Sequence, residues 1–334
     1  MKLVSIVTPS YNQAPFLEQT IRSVLEQDYP RIEYFVVDGG STDGSVDVIK
    51  KYAGTLGSDS SLSALHNRSI DWWISEKDSG QGEAINKGLS RAKGEIIAWI
   101  NSDDYYLLDA ISSAVKVFEQ NPDVALVYGD MLAVDQNSQA INVLKYQQLS
   151  LEDLLCFQII GQPAVFMRRG AYEKAGGLDK SFHFMLDHHL WIRIGQQGKI
   201  LHVPQIWAAA RYHAQAKNRR VPVEFGREAF RILDWMKKQP DLAETVSGVE
   251  KRARASAYRV KARYFLEAGQ SVPSLQAWFT ALFIHPPTAL QRMNIFVSAV
   301  LNLLGLGRLR EFILRRRQRT YSQDNQLPYR SSHK

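Results

Sequence analysis

Two adjacent carboxylates, Asp103 and Asp104, directly follow an apolar run from Ile96 to Ile100. A buried strand that ends in two carboxylates is costly unless a cation lies opposite them. Such oxygen ligands suit Mg²⁺ or Mn²⁺, which could also bridge two phosphates and stabilise the charge of a departing diphosphate. The other interpretation is that Asp104 simply caps a helix over residues 107–120.

Polar segments follow three other predicted strands: "TPSYN" (8–12), "DGGSTDG" (38–44) and "EKDSGQG" (76–82). In open α/β sheets, ligands bind at the edge where the carboxyl ends of the strands meet. Tyr11 could stack there on a base, and Asp38 could hydrogen-bond a base or a ribose. Each residue alone is equally well explained as part of a turn or a helix cap. The coincidence at four strand ends is what indicates a binding edge.

The glycines of "DGGSTDG" do not form the dinucleotide-binding fingerprint, because they follow the second strand and have a different spacing. The sequence also lacks a P-loop motif. Both observations argue against a dehydrogenase and against a P-loop kinase.

Short β-rich runs alternate with helical patterns in the first half of the chain, which predicts a mainly parallel sheet between helices. Strands are predicted at 3–10, 32–38, 70–76, 95–101, 124–131 and 162–169, with a strand pair across 199–213. Helices are predicted at 15–27, 43–52, 109–120 and 187–198, with a short helix before Gly176-Gly177. The Gly/Ser-rich segment 54–69 is predicted to be a surface loop.

From about residue 224 the pattern becomes that of successive amphipathic helices, two of which resemble a single tetratricopeptide-type hairpin. The apolar run Ile295 to Leu306 is too short to span a bilayer, and an arginine cluster from Arg308 to Arg319 follows it. This tail fits an amphipathic segment on an anionic membrane surface. It equally fits a final helix docked on the rest of the protein. We expect the last fifteen residues to be disordered.

The net charge of the 334-residue chain is +7, and the basic residues are concentrated at the C-terminus. From residue 285 onward there are nine Lys and Arg against Glu311 and Asp324, so the first 284 residues are formally neutral. Nucleic-acid binding is not expected, because no aromatic residues are interleaved with the basic ones. The single cysteine, Cys156, excludes an internal disulfide and is expected to be a buried small residue. With no signal peptide evident after "MKL", we expect a cytoplasmic protein, which the tail could hold at the inner face of the cell membrane.

Residues 3–215 resemble the family 2 inverting glycosyltransferases of the GT-A fold. The resemblance rests on "VSIVTPSYN", "VVDGGSTDGS", "GEAINKGLSRAKGEIIAWINSDD", "GGLDKSFHFMLDHHLWIR" and "ARYHAQAKN", in that order. It implies a GT-A domain at 1–222, with a donor half at about 1–104 and an acceptor half at about 105–222. A helical region at 223–290 and an amphipathic basic tail at 291–334 would follow.

The resemblance also implies the donor site. The donor would be a nucleotide-diphosphate sugar, with Mg²⁺ or Mn²⁺ as the metal. The family's Asp-x-Asp motif falls on Asn101-Ser102-Asp103, so that Asp103 matches the ligand of the metal and diphosphate. Asn101 replaces the usual acid and lowers the charge, which should weaken metal binding. The other positions that match donor-binding residues are Thr8, Pro9, Tyr11, Asp38, Asp78, Gly80 and Lys87.

On the acceptor side, the resemblance places the catalytic base on Asp187, at the start of "DHHLWIRIG". Without the resemblance, Asp187 could equally be an acid that favours the helix dipole. His213 matches a histidine that completes the metal site in related enzymes. Gln162 falls in the acceptor half. His189, where relatives often carry an acid, could touch the acceptor or the metal, although an ordinary helix-surface histidine is the simpler interpretation.

The resemblance, with these residues, implies an enzyme that transfers one sugar, with inversion, to a carbohydrate or lipid-linked acceptor in bacterial surface polysaccharide biosynthesis. The processive-synthase signature Gln-x-x-Arg-Trp is missing, which favours a single addition. One alternative is a catalytically degenerate scaffold that binds nucleotide sugars, suggested by Asn101. A second is a sugar-phosphate nucleotidyltransferase, which should have a basic Gly-rich loop where this chain has "TPSYNQ".

Overall fold

The computed structural model describes residues 1–53, 68–213 and 221–306. Its first strand is buried at every position, as expected for a parallel strand that is covered on both faces. The strands are β1 (Val4–Ser10), β2 (Ile32–Asp38), β3 (Trp72–Ser75), β4 (Ile96–Trp99), β5 (Tyr105–Tyr106), β6 (Val124–Asp135), β7 (Ala140–Leu144), β8 (Val165–Arg168) and β9 (Lys199–Tyr212).

All nine strands belong to one mixed sheet in the order β3-β2-β1-β4-β8-β6-β9-β5, with β7 paired to β6. The first four strands of this order run parallel, so their carboxyl ends lie at the same edge. Strand β8 is antiparallel to both β4 and β6, whereas β9 runs parallel to β6. The part of the sheet formed by β3, β2, β1 and β4 is therefore parallel, and the rest is mixed.

Helices cover both faces of this sheet. In the first helix, for example, Leu17, Ile21 and Val24 form the buried face that packs on the sheet. The helices are α1 (Ala14–Leu25), α2 (Ser45–Ala53), α3 (Gln81–Leu89), α4 (Ala110–Gln120), α5 (Leu151–Leu155), α6 (Arg169–Lys174), α7 (Leu186–Gly195), α8 (Pro222–Met236), α9 (Ala243–Glu267), α10 (Ser271–Ile284), α11 (Pro286–Leu290) and α12 (Met293–Leu303).

The helices after residue 221 do not form a separate core at their start. Ile232 and Met236 of α8 and Ala253 and Val260 of α9 are buried in the same apolar cluster as Trp99 of the sheet. Only further along the chain do α9 to α12 build a cluster of their own, around Trp278. The first part of the helical region thus completes one face of the α/β core.

One expectation about the elements is corrected, and one helix of the structure is not predicted. The strand pair predicted across 199–213 is one long strand, β9, which bulges at Pro204 and Gln205 as its pairing with β6 shifts from Val203 to Ile206. Helix α3 is not predicted from the sequence, because glycines interrupt its apolar pattern. Gly88 is required there, since an added Cβ would lie 2.6 Å from a methyl group of Val7.

The remaining expectations about the elements fall partly outside the described residues. The strands and helices of the first half lie within a few residues of their predicted positions, although 162–169 begins with the 3-10 turn Gln162–Ala164 before β8. Cys156 is buried, as predicted. Most of the predicted loop at 54–69, and the tail beyond residue 306, lie outside the described residues. No helix within the described ranges combines the length and the apolar character needed to cross a membrane.

We expect Gly88→Ala to lower the free energy of unfolding by about 1–3 kcal/mol, because the new methyl group overpacks α3 against β1. Urea unfolding followed by circular dichroism measures the change. The control is Gly248→Ala in α9, where nothing lies within 4 Å of an added Cβ. That change should stabilise the protein by about 0.5–1 kcal/mol through helix propensity. Equal effects of the two substitutions would contradict the close approach of α3 to β1.

Candidate active site

Asp38, at the end of β2, organises the loop that follows it. Its buried carboxylate accepts hydrogen bonds from the backbone N–H groups of Gly40 (3.1 Å) and Ser41 (2.8 Å). The hydroxyls of Ser41 (2.5 Å) and Ser75 (2.7 Å) also donate to it. The carboxylate therefore holds the "DGGSTDG" loop against the end of β3.

The loop after β1 is tied to the Asp38 loop and presents Tyr11 to solvent. Asn12 has a left-handed backbone (φ 52°), and its N–H donates to the Ser41 hydroxyl at 2.8 Å. The Tyr11 side chain is 62% exposed, which leaves its ring open to stack on a base. Thr8 and Pro9 are buried beneath it, and the Thr8 hydroxyl accepts a hydrogen bond from Tyr34 at 2.8 Å. Of the four predicted nucleotide positions, Tyr11 is the one whose side chain is exposed.

The predicted donor-flanking residues gather where β3 leads into α3. The Asp78 carboxylate accepts a hydrogen bond from the Gly80 N–H at 2.9 Å and lies against Gly39, where a Cβ would be 3.1 Å from it. Burial is the main reason that the pKa of Asp78 lies above its ordinary value. Lys87 forms an ion pair with Glu76 at the end of β3.

Asn101 is the centre of a network of amides. Its side-chain oxygen accepts a hydrogen bond from Gln81 at 2.6 Å. Its NH₂ group donates to Gln162 at 3.1 Å and to Asp104 at 3.2 Å, and Gln162 donates in turn to the Trp99 carbonyl at 2.9 Å. An aspartate at this position could make neither donation and would place a second charge beside the Asp104 carboxylate. The network is a structural reason for asparagine here.

Asp104 does not cap a helix, since α4 begins at Ala110 with Asp109 before it. Its buried carboxylate accepts hydrogen bonds from the Arg211 backbone N–H (2.9 Å) and from Asn101. Burial, with the neighbouring Asp103 charge, raises the pKa of Asp104 well above its usual range. Asp104 thus belongs to the framework of the site.

Arg211 provides the positive charge that the two carboxylates require, and the sequence analysis missed it. Its buried guanidinium donates to the Asp103 carbonyl (2.9 Å) and to Gln19 (2.6 Å), and stands 4.8 Å from the ring centroid of Phe16. Further bonds go to the carbonyls of Asp135 and Gln136 and to the Ser138 hydroxyl. One indication of Arg211 was present in the sequence. It lies two residues before His213, and this spacing puts the two side chains on the same face of an extended segment.

Asp103 and His213 form the pair that could hold a metal. The His213 Nε2 lies 2.9 Å from the Asp103 Oδ2, and the imidazole packs against Phe16 with ring centroids 4.9 Å apart. The imidazole is 4% exposed, whereas the Asp103 side chain is 21% exposed and so remains accessible to solvent. Two ligands bound at about 2.1 Å and at right angles on one ion are about 3 Å apart, so the pair fits Mg²⁺ or Mn²⁺.

Within the described ranges, no three or more His, Cys, Asp or Glu side chains converge as a metal site. Two protein ligands leave most of the coordination sphere to other oxygens. Mg²⁺ is usually bound in this way, through one or two carboxylates with substrate phosphates and water. The donor set therefore suits an ion that binds together with a diphosphate.

Asp187 lies in the first turn of α7 and is half-buried. The segment before it is held by Glu228 of α8, a second residue that the sequence analysis missed. The buried Glu228 carboxylate accepts three backbone hydrogen bonds, from His183 (2.7 Å), Phe184 (2.8 Å) and Met185 (2.7 Å). No local pattern in the sequence links Glu228 to this segment, because the contact spans more than forty residues.

His189 does not reach the acceptor side, and both interpretations of it from the sequence are wrong. The imidazole is 2% exposed and packs between Phe182 and Trp235, with ring centroids 4.2 and 4.4 Å away. Burial lowers its pKa to about 3, so the ring is neutral. His189 is a core residue that joins α7 to α8.

Gln162 lies beside Asn101, at the end of β4. Its side chain is buried and bonded to Asn101, and Gly161 before it allows a close approach of Tyr146. A Cβ at Gly161 would lie 2.5 Å from the Tyr146 hydroxyl oxygen. Gln162 therefore supports Asn101, and Tyr146 is the side chain that packs closely on Gly161.

Comparison with known proteins identifies the family and the fold of this chain. The model of the family described as Glycosyl transferase family 2 matches residues 5–175. An uncharacterized glycosyltransferase of Rickettsia prowazekii is 27% identical over 221 residues, 64% of this chain and 64% of that protein. The putative teichuronic acid biosynthesis glycosyltransferase TuaG of Bacillus subtilis is 30% identical over 168 residues, 50% of this chain and 62% of TuaG. The matches thus span just under two thirds of these relatives.

Two solved structures show the same fold. Staphylococcus aureus TarS 1–349 in complex with UDP-GlcNAc has a TM-score of 0.57 and 15% identity, covering 89% of this chain and 91% of that one. The mannosyltransferase PcManGT of Pyrobaculum calidifontis, in complex with GDP-Man and Mn²⁺, has a TM-score of 0.55 and 20% identity, covering 90% and 87%. The chain therefore belongs to glycosyl transferase family 2 and has the GT-A fold.

Proposed function

We propose that this protein transfers a single sugar, with inversion, from a nucleotide-diphosphate sugar to a carbohydrate or lipid-linked acceptor in polysaccharide biosynthesis. The observation that carries the proposal is the Asp103–His213 pair at the carboxyl ends of the donor strands. TuaG, named for teichuronic acid biosynthesis, and the chondroitin synthase of Pasteurella multocida, 28% identical over 205 residues, support the polysaccharide setting.

The donor would lie along the edge formed by β1 to β4. Tyr11 is exposed and free to stack on the base, while Asp38 and Asn12 order the surrounding loops. Asp103 and His213 would hold Mg²⁺ or Mn²⁺ with the diphosphate. The ion would stabilise the charge that develops on the departing nucleoside diphosphate. Asp78, Gly80, Lys87 and Ser102 would flank the sugar and the diphosphate.

Asp187 would act as the general base on the acceptor side. In a single displacement, the acceptor oxygen forms a bond to the anomeric carbon while the bond to the diphosphate oxygen breaks. The proton of the acceptor hydroxyl passes to the Asp187 carboxylate. Attack from the face opposite the leaving group inverts the anomeric configuration. The three backbone bonds to Glu228 fix the segment that leads into Asp187.

The central experiment screens purified full-length protein against UDP-, GDP- and dTDP-sugars, with Mn²⁺, Mg²⁺ or EDTA, and measures release of nucleoside diphosphate. We expect metal-dependent turnover of one donor class. Asp187→Asn should keep donor affinity and lower transfer by about 100-fold or more, because the base is lost. Asp234→Asn, at an exposed position of α8, is the matched control. Tight donor binding without any turnover would instead favour a scaffold.

Glu228→Gln should displace the segment before Asp187, because the amide replaces one accepting oxygen with an NH₂ that faces backbone donors. We expect a loss of about 1–3 kcal/mol of unfolding free energy. The kcat for transfer should fall while the KM for the donor stays the same. Glu224→Gln, one turn earlier in α8, should change neither quantity. Normal kcat in a Glu228→Gln protein of lowered stability would show that the segment does not position the base.

We also propose that the C-terminus contacts anionic lipid. Phe283 is 86% exposed, and Leu290, Val297 and Leu304 expose further apolar surface on α11, α12 and the residue after α12. The chain that follows, residues 307–334, contains eight Lys and Arg against two acids. Basic residues near an anionic surface contribute about 1 kcal/mol each to binding. This surface and the tail together would form a peripheral membrane site.

A vesicle flotation assay tests the membrane proposal. Full-length protein should float with vesicles that contain phosphatidylglycerol and stay behind with pure phosphatidylcholine. Removing 307–334 should abolish flotation without unfolding the protein, since Ile295 and Ala299 keep α12 in its cluster. Retention of lipid binding by the truncated protein at 0.15 M salt would contradict the role of the basic tail.

A further inference from the structure

Helix α5 ends in a turn that usually contains glycine. The Phe157 N–H donates to the Leu154 carbonyl at 2.9 Å, and the Gln158 N–H reaches back to the first turn of the helix, to the Asp153 carbonyl at 2.9 Å. These two bonds define a Schellman turn, in which the residue after the C-cap has a left-handed backbone. Phe157 takes that position, with φ 54°. Because a left-handed backbone is unfavourable for a bulky side chain, this turn is strained.

A buried arginine of α9 holds the strained residue. Arg259 is 6% exposed, and its guanidinium donates to the Phe157 carbonyl at 3.0 Å. Burial lowers the pKa of Arg259 to about 10, so the side chain is still charged at neutral pH. Burying a charge is costly, and strained residues persist where the surrounding structure fixes them, which is common at active sites. Both features meet at the Phe157 carbonyl.

The left-handed turn places the Phe157 ring on His188 of α7. The two rings are stacked, with centroids 5.3 Å apart and planes inclined by 19°. The Leu154 carbonyl of the same turn lies 3.0 Å from the His188 Nε2, which carries the proton because a carbonyl can only accept. Burial lowers the pKa of His188 to about 4, so the ring is neutral. The turn after α5 therefore holds one face and one edge of this imidazole.

His188 directly follows Asp187 and contacts its carboxylate. The His188 backbone N–H donates to the Asp187 Oδ1 at 2.7 Å, so the position of His188 affects the direction of that carboxylate. Glu228 of α8 already holds the residues before Asp187. Asp187 thus lies between two supports, and each of them includes a buried charged residue of the helical region.

We propose that Arg259 is a positioning residue for Asp187. Its bond to the Phe157 carbonyl keeps the turn after α5 in the conformation that fixes His188. The His188 N–H then directs the Asp187 carboxylate toward the acceptor hydroxyl. The inference rests on the proposed function, in which Asp187 is the general base. It makes the alignment of that base depend on the docking of α9 against the turn after α5.

The kinetic test compares Arg259→Met with the unmodified full-length protein. Methionine keeps an apolar stem and removes the donor to the Phe157 carbonyl. We expect kcat for transfer to fall about tenfold, because the base is misaligned, while the donor KM stays the same. Arg259→Lys, which keeps a charged donor, should recover part of the loss. Arg254→Met, at an exposed position of the same helix, should behave like the unmodified protein.

Ser274→Ala is the control for a loss of stability alone. The buried Ser274 hydroxyl of α10 donates to the Ala262 carbonyl of α9 at 2.7 Å. This change also removes a buried bond between a side chain and a carbonyl, but it does so in the cluster around Trp278. We expect lower stability with an unchanged kcat. An equal fall of kcat in Ser274→Ala and Arg259→Met would overturn the proposal, since stability alone would then explain it.

A double-mutant cycle with Asp187→Asn tests whether Arg259 acts through the base. Once the carboxylate is gone, Arg259→Met should have no further effect on the residual rate. Losses that multiply in the double variant would contradict positioning, and so would an unchanged kcat in Arg259→Met alone. Phe157→Leu repeats the cycle without altering the buried charge, because it removes the flat ring and keeps an apolar side chain. The same pattern is expected for it.

Hydrogen exchange followed by mass spectrometry tests the support without turnover. In the absence of donor, Arg259→Met should raise the exchange of segments 154–161 and 186–190, whereas Ser274→Ala should change neither. Unaltered exchange of 186–190 in Arg259→Met would overturn the link from α9 to Asp187, whether or not a donor is found. The expected exchange in a protein that turns over no donor would instead refute the proposed function. The two failures are thereby distinguished.

Discussion

The arrangement of the site depends on one electrostatic constraint, two adjacent carboxylates at the end of a buried strand. Hydrogen bonds from Arg211 and Asn101 hold the Asp104 carboxylate in the framework of the site. Asp103 instead lies beside His213 and is partly exposed to solvent. The guanidinium of Arg211 lies behind both residues and is bonded mainly to carbonyl oxygens. In the described residues, its positive charge is therefore not paired with another acid and can offset the charges of Asp103 and Asp104. This division of roles lets one carboxylate stay available for a cation.

The segment that carries Asp187 depends on a different part of the chain. Glu228 belongs to α8, beyond the 5–175 segment that defines the family match, yet it fixes the residues before Asp187. Helices α8 and α9 also share the apolar cluster that contains Trp99 and covers one face of the sheet. The helical region is thus continuous with the α/β part in packing as well as in hydrogen bonding. A truncation after the α/β part would remove the Glu228 bonds to the segment before Asp187 and part of the shared apolar cluster.

The strands of the donor half could be predicted because apolar runs that end in polar residues reveal buried parallel strands and their edge. Helix α3 could not, since the glycine that lets it approach β1 also disrupts its periodicity. The sequence predicts a strand pair across 199–213, whereas a bulge opposite Gly129 and Asp130 keeps these residues in one strand. The bonds of Arg211 to Asp103 and of Glu228 to Phe184 join residues distant in sequence, and no local pattern encodes them. His189 was misjudged because its partner Trp235 is brought there by tertiary packing.

The amides around Asn101 connect positions that the sequence alone would treat as independent. Gln81 begins α3, Asn101 ends β4 and Gln162 opens the turn before β8, and each amide fixes the orientation of the next. An aspartate at position 101 would place its carboxylate against the side-chain oxygen of Gln162. Rotating the Gln162 amide by half a turn would instead place that oxygen against the Trp99 carbonyl. Residues 81, 101 and 162 should consequently co-vary, so that family members with an acid at the central position carry different side chains at the other two.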